Sequence, residues 1–134
     1  ILGAISSPFG IDISIESILG YLFAPIAWLM GIPWEEAVTS GKLLGIKTTL
    51  NEFVAYPALA NMEYGEISER SKLITFYSLC GFANLSSVGI LISGITAMAP
   101  ERKDDLIKVS LKALVGATLA SCMTGLIVGI FFNY

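Results

Sequence analysis

The sequence predicts an all-α integral membrane protein in which interfacial helices precede a re-entrant helical hairpin, a discontinuous transmembrane helix and a final transmembrane helix. Three observations carry that expectation. The 134 residues are 54% hydrophobic and only 14% charged, with a mean hydropathy of +0.75, whereas a soluble domain carries about 25% charged residues. Two uncharged stretches, Leu73 to Ala99 and Ala113 to Tyr134, reach the roughly 20 residues that a helix needs to cross a bilayer at about 1.5 Å each. And "GIKTTLNEFVAYPAL", Gly45 to Leu59, sets one acid, Glu52, in the middle of apolar and small residues.

In order, the chain divides into residues 1–40 as the end of a span with interfacial helices, 41–62 as the hairpin, 69–99 as the broken helix and 104–134 as the last span. Within the first part, "SILGYLFAPIAWLMGIPW" is apolar but holds Pro25 and Pro33, which disrupt helices, and Trp28 and Trp34, which favour the membrane interface. That combination predicts helices lying at the surface. Gly41 to Asn61 has apolar arms of only about ten residues on either side of "NE", too short to span. Irregular backbone at membrane depth is tolerated only against protein or a watery cavity, so these arms predict a re-entrant hairpin.

A single straight helix from Leu73 to Ala99 would run to about 40 Å against a hydrocarbon core of about 30 Å. The predicted interruption is "CGFAN", where Gly81 weakens the helix and Asn84 can cap a new one. Ala113 to Tyr134 is uncharged, and its "GATLASCMTGLIVG" offers small residues for close helix packing. The Lys and Arg of "APERKDDLIK", with Lys112, predict a cytoplasmic loop and place Tyr134 outside. Because it opens on Ile1 with neither an initiator Met nor a signal peptide, the chain is expected to be a fragment.

A carboxylate near mid-membrane costs at least about 2.5 to 3.5 kcal/mol, and such residues usually face a cavity and mark an ion or substrate pathway. Glu52 is therefore the leading candidate for a functional residue; the competing reading is a shallow, wet position or a pairing with Lys47, five residues before it. Asn51 is open between capping the second arm of the hairpin and binding ligand. Asn84 and Ser87, spaced i, i+3, share a face if a helix begins at "NLSS". With a carboxylate they suit a polyhydroxylated solute such as a sugar, and on their own they equally suit hydrogen bonding between helices. Thr48, Thr49, Thr118 and Thr124 read as bonding back to helix carbonyls.

Several function classes drop out. A net charge of −3 with no dense basic surface excludes nucleic acid as a partner. Without His, neither a Ser-His-Asp triad nor a zincin site can be built from this chain, so no enzymatic activity, catalytic residue or metal site is expected. "TSGKLL" fails as a phosphate loop because Leu43 stands where Ser or Thr is needed. Cys80 and Cys122 lie in apolar segments and imply no disulfide frame.

"GIKTTLNEFVAYPAL", "LCGFANLSSVGILISG", "APERK" and "GATLASCMTGLIVG", in this order, resemble the C-terminal region of the concentrative nucleoside transporters, and "GYLFAPIAWLMGIPW" is similar to the segment before it. The resemblance covers nearly the whole chain. It implies that "NEF" lies in the second re-entrant hairpin and "CGFANLSS" at the break of a discontinuous helix, both bordering the substrate. Glu52 would then accept hydrogen bonds from ribose hydroxyls, Asn84 and Ser87 would bind the ribose from the broken helix, and Phe82 would pack against the nucleoside. Asn51 remains a possible further contact.

The activity this resemblance implies is cation-coupled nucleoside uptake by alternating access across the cell (inner) membrane. This multi-pass chain would supply the ribose-binding half, while the coupling Na⁺ or H⁺ and the nucleobase contacts lie elsewhere in the transporter. The expected partners are the nucleoside, the lipid bilayer, the remainder of the transporter and two further copies in a homotrimer, with no cofactor. The alternative is a membrane scaffold or assembly subunit in which Glu52, Asn84 and Ser87 only join helices.

Overall fold

The computed structural model describes residues 15–132 and, among them, consists of helices without strands. The chain opening at Ile1, and Tyr134, which is expected to face outside, lie outside the described residues. The helices are α1 (Ile15–Leu29), α2 (Trp34–Thr49), α3 (Glu52–Ala60), α4 (Glu69–Leu79), α5 (Leu85–Met98) and α6 (Lys103–Phe131), with a 3₁₀ turn at Pro100–Arg102 leading into α6.

α1 and α2 turn back on each other at 118° and pack along their lengths. Small residues make this possible. Gly20, Ala24 and Ala27 are the buried face of α1, and Ala37, Ser40, Gly41, Leu44 and Gly45 lie on that of α2. A Cβ at Gly41 would run into the Gly20 carbonyl, and one at Gly45 would meet Leu19 Cβ. Gly41 is thus a point of backbone contact, and the expected start of the hairpin at residue 41 falls inside one continuous helix. Pro25 likewise does not divide α1; its ring sits on the exposed side, where a proline leaves the packed face of a membrane helix intact. Ser17 to Trp34 is therefore one helix and a turn rather than several short pieces. The turn is made at Gly31 in the left-handed region (φ +90°), a conformation only glycine adopts freely.

Two further interruptions divide the remaining helices. α2 gives way to α3 at Leu50–Asn51, and α4 gives way to α5 across Cys80–Asn84. α6 spans 29 residues, about 44 Å at roughly 1.5 Å per residue. Among the described residues it is, with its leading turn, the one helix long and apolar enough to cross a bilayer alone.

Burial departs from that of a soluble protein, although apolar residues such as Ile32, Leu44, Ile74 and Leu79 form a buried core. Lys47, Ser40, Thr75, Ser78, Asn84 and Ser87 are buried, while Ile90, Leu91, Val115, Leu119, Met123 and Ile130 of α5 and α6 are exposed. An apolar exterior around a partly polar interior is the pattern of a chain whose outer solvent is hydrocarbon or protein. Across the interior, Thr75 of α4 donates to Ser40 Oγ of α2 at 3.1 Å, and Arg70 donates to the carbonyls of Gly31 and Gly129, tying the α1–α2 turn to the end of α6. Thr48, Thr49, Thr118 and Thr124 bond back to their own helices four residues earlier, as their spacing predicted.

Candidate functional site

Each of the two later breaks is restarted by an asparagine. Asn51 has extended backbone and its side chain accepts from the Val54 N–H at 3.1 Å, which opens α3. That is the capping role of the two left open by the sequence. Asn84 opens α5 in the same way, accepting from the Ser87 N–H at 2.7 Å. Here the cap is reciprocal: the Asn84 N–H donates to Ser87 Oγ at 3.2 Å, and the Ser87 hydroxyl donates to the Asn84 carbonyl at 2.7 Å. Asn84 and Ser87 are both buried. The helix begins where the sequence placed it, and the two residues, three apart, are partners in one cap.

The remaining group of Asn84 reaches the other break. Its Nδ2 donates to Glu52 Oε2 at 3.0 Å. Glu52 is the first residue of α3 and Asn84 caps α5, so the carboxylate stands where two helix N-terminal ends, each carrying about half a positive charge, come together. This is a physical reason for keeping one acid in an apolar run. Among the described residues Glu52 Oε1 has no hydrogen bond to protein, which leaves one carboxylate oxygen available as an acceptor.

The proposed pairing of Glu52 with Lys47 does not form: among the described residues the two are not within 4.0 Å of each other as an ion pair. Lys47 is 1% exposed and its ammonium donates instead to the Ser78 carbonyl at 3.3 Å, in the last turn of α4. Phe82 lies within the second break and is 60% exposed. A cavity of about 230 Å³ between α5 and α6 is bordered by Phe82 and Ser87 and otherwise mainly by apolar side chains. Glu52 and Asn84 do not line it.

Two residues at this crossing carry little signal in the sequence. Ser86 donates to the Leu50 carbonyl at 3.3 Å, which joins the start of α5 to the tip between α2 and α3. Lys47 is visible as a base in the same apolar run as Glu52, but its partner is a backbone carbonyl 31 residues away, which no side-chain pattern announces.

Gly81 keeps the second break close to α6. A Cβ there would collide with the Ser121 hydroxyl and stand 3.6 Å from Lys47 Nζ. Gly125 is pressed in the same way against Ser78 and the Ile74 carbonyl. The arrangement is two broken helices crossing at their breaks, with a carboxylate and an amide bonded between them and an aromatic ring beside them. Chemically it can donate and accept hydrogen bonds to a neutral polar solute.

Comparisons with known proteins identify the family and the overall fold. Residues 1–129 match the family model described as "Na+ dependent nucleoside transporter C-terminus". The chain is 43% identical over 132 residues to the transporter YutK of Bacillus subtilis, covering 98% of this chain and 32% of the relative. It is 42% identical over 125 residues to the nucleoside permease NupC of Helicobacter pylori, covering 90% of this chain and 30% of the relative. A solved structure of CNTnw in an inward-facing substrate-bound state superposes with a TM-score of 0.89 at 39% identity, covering 97% of this chain and 32% of that one. The chain thus spans about a third of the length of these relatives. It is a membrane protein that belongs to the Na⁺-dependent nucleoside transporter family, matching that family's C-terminal part.

Proposed function

We propose that this chain is the part of a cation-coupled nucleoside transporter that holds the ribose. In this reading α2 and α3 are the arms of a re-entrant hairpin, α4 and α5 the halves of a discontinuous transmembrane helix, and α6 the last span of a multi-pass protein of the cell membrane. Transporters place substrate near the bilayer midplane where broken helices meet, and the exposed half-helix ends supply fixed charge there. The observation that carries the reading is the bond between Asn84 and Glu52 at the meeting of two helix N-terminal ends. Glu52 Oε1 accepts a ribose hydroxyl, Asn84 holds the carboxylate in place and borders the sugar, and Phe82 lies against the nucleoside. Ser87 joins them by exchanging a cap bond for a sugar hydroxyl, and Asn51 serves the site by fixing the start of α3.

The remaining parts of the function belong to the rest of the protein. The nucleobase contacts and the coupling Na⁺ or H⁺ lie outside this chain, and three copies assemble as a homotrimer that works by alternating access, with no covalent step.

Glu52→Gln tests the reading in the full-length protein. The substitution keeps an oxygen for Asn84 but removes the charge, and a hydrogen bond to a charged group is worth about 1.5 to 3 kcal/mol. Nucleoside affinity is expected to fall roughly tenfold to a hundredfold at about 1.4 kcal/mol per decade. A nucleoside lacking ribose hydroxyls should bind wild type poorly and lose little more on mutation. Additive losses, or an unchanged affinity, would remove Glu52 from the sugar and leave the scaffold reading.

A further inference from the structure

Lys47 is the largest fully buried side chain among the described residues, and the transport reading gives it no task. Its surroundings are specific. It stands in the last turn of α2, and its ammonium donates to the carbonyl of Ser78 in the last turn of α4. Both of these helices end at a break. The titratable groups that face it are Glu52, Cys80 and Cys122, none of them within ion-pair distance among the described residues. The bond to Ser78 is the one hydrogen bond of its ammonium there.

The two charges of this crossing are thus sorted by helix polarity. Glu52 sits at the N-terminal ends of α3 and α5, where partial charge is positive; Lys47 sits at the C-terminal ends of α2 and α4, where it is negative. Half-helix C-terminal ends in secondary transporters are places where freed carbonyls coordinate a diffusible cation. We propose that the Lys47 ammonium is a built-in cation that fills such a position at the end of α4. Gly81 completes the site, since a Cβ there would stand 3.6 Å from Nζ while also striking Ser121. As a consequence that rests on the transporter reading, this break supplies its own cation and takes no part in binding the coupling ion.

The test uses Lys47→Ala in the full-length protein in detergent. The truncation removes a group with the shape of n-propylammonium, so thermal unfolding is followed with n-propylammonium chloride, with n-propanol and with choline chloride. The expected result is a saturable rise in Tm with n-propylammonium alone, absent in wild type. Equal stabilisation by n-propanol would mean that only a void is being filled, and no stabilisation would mean that no cation is held; either overturns the proposal. If Lys47→Ala is lost on extraction, recovery with n-propylammonium but not n-propanol supports the proposal, and no selective recovery overturns it. None of these readouts uses a nucleoside, so they stand apart from any failure of the transport reading. Where nucleoside binding is measured, Lys47→Ala should weaken it at least tenfold and n-propylammonium should restore it.

Discussion

Asn51 and Asn84 do the same local work in different surroundings. Both have extended backbone, both follow a helix break, and both accept from the N–H three residues on. Asn51 is only partly buried and its capping bond lies near the surface, whereas Asn84 is fully buried, shares a reciprocal cap with Ser87 and spends its amide on Glu52. The residue type and the turn chemistry are identical. Burial and one contact across 32 residues turn one of the two caps into part of a site.

Replacing each asparagine by aspartate separates the two cases, because Asp caps a helix about as well as Asn. At Asn84 the substitution removes the donor to Glu52 and sets a second carboxylate against the first. A buried acceptor left without its donor costs about 1 to 3 kcal/mol, and more when charged. Asn84→Asp is therefore expected to give the largest effect: nucleoside binding reduced by roughly a hundredfold or more at about 1.4 kcal/mol per decade, with a lower Tm. Ligand titration and thermal unfolding of the full-length protein measure both. Retention of wild-type affinity would reduce the Glu52 contact to helix joining.

Gly81 probes how the second break is seated on α6. An alanine there meets the Ser121 hydroxyl, so α6 or the break must shift, and overpacking of this kind costs about 1 to 3 kcal/mol. Gly81→Ala should lower thermal stability and weaken binding, and Ser121→Gly, which removes the obstructing atoms, should restore much of both. If Gly81→Ala is silent, the seat of the break on α6 is looser than the geometry indicates.

How much of the molecule is legible in the sequence depends on the range of the interaction. An all-helical membrane protein follows from composition, and the helix restart at Asn84 follows from a glycine and a good cap within five residues, "CGFAN". The close pairing of α1 with α2 does not, because it depends on Gly41 meeting the Gly20 carbonyl and Gly45 meeting Leu19, and a glycine in isolation reads as a break. Gly41 misleads for that reason, and Pro25 misleads because its exposed ring leaves the packed face of α1 intact. The reciprocal cap is hidden as well: the usual signature is Ser or Thr followed three residues later by Glu or Gln, and here the pair is Asn84 with Ser87. Lys47 bonds to a carbonyl, so the identity of residue 78 says nothing about it.

The smallest effect is expected at Asn51, and it decides whether the comparison is sound. Asn51→Asp keeps an acceptor for the Val54 N–H at the positive end of α3, where an added negative charge is tolerated or slightly favourable. Stability should stay within about 0.5 kcal/mol of wild type, as for other surface substitutions. Asn51→Ala removes the acceptor and should cost about 1 kcal/mol, the ordinary value for a lost cap, with nucleoside affinity lowered less than at Asn84. That ordering follows from the bonds themselves, since among the described residues the Asn51 side chain bonds only to its own helix while the Asn84 side chain bonds to two. The measurement is Tm and affinity for both substitutions at both positions. If Asn51→Asp weakened nucleoside binding as much as Asn84→Asp while leaving Tm unchanged, Asn51 would be a ligand contact as well as a cap, and the site would extend over the hairpin tip.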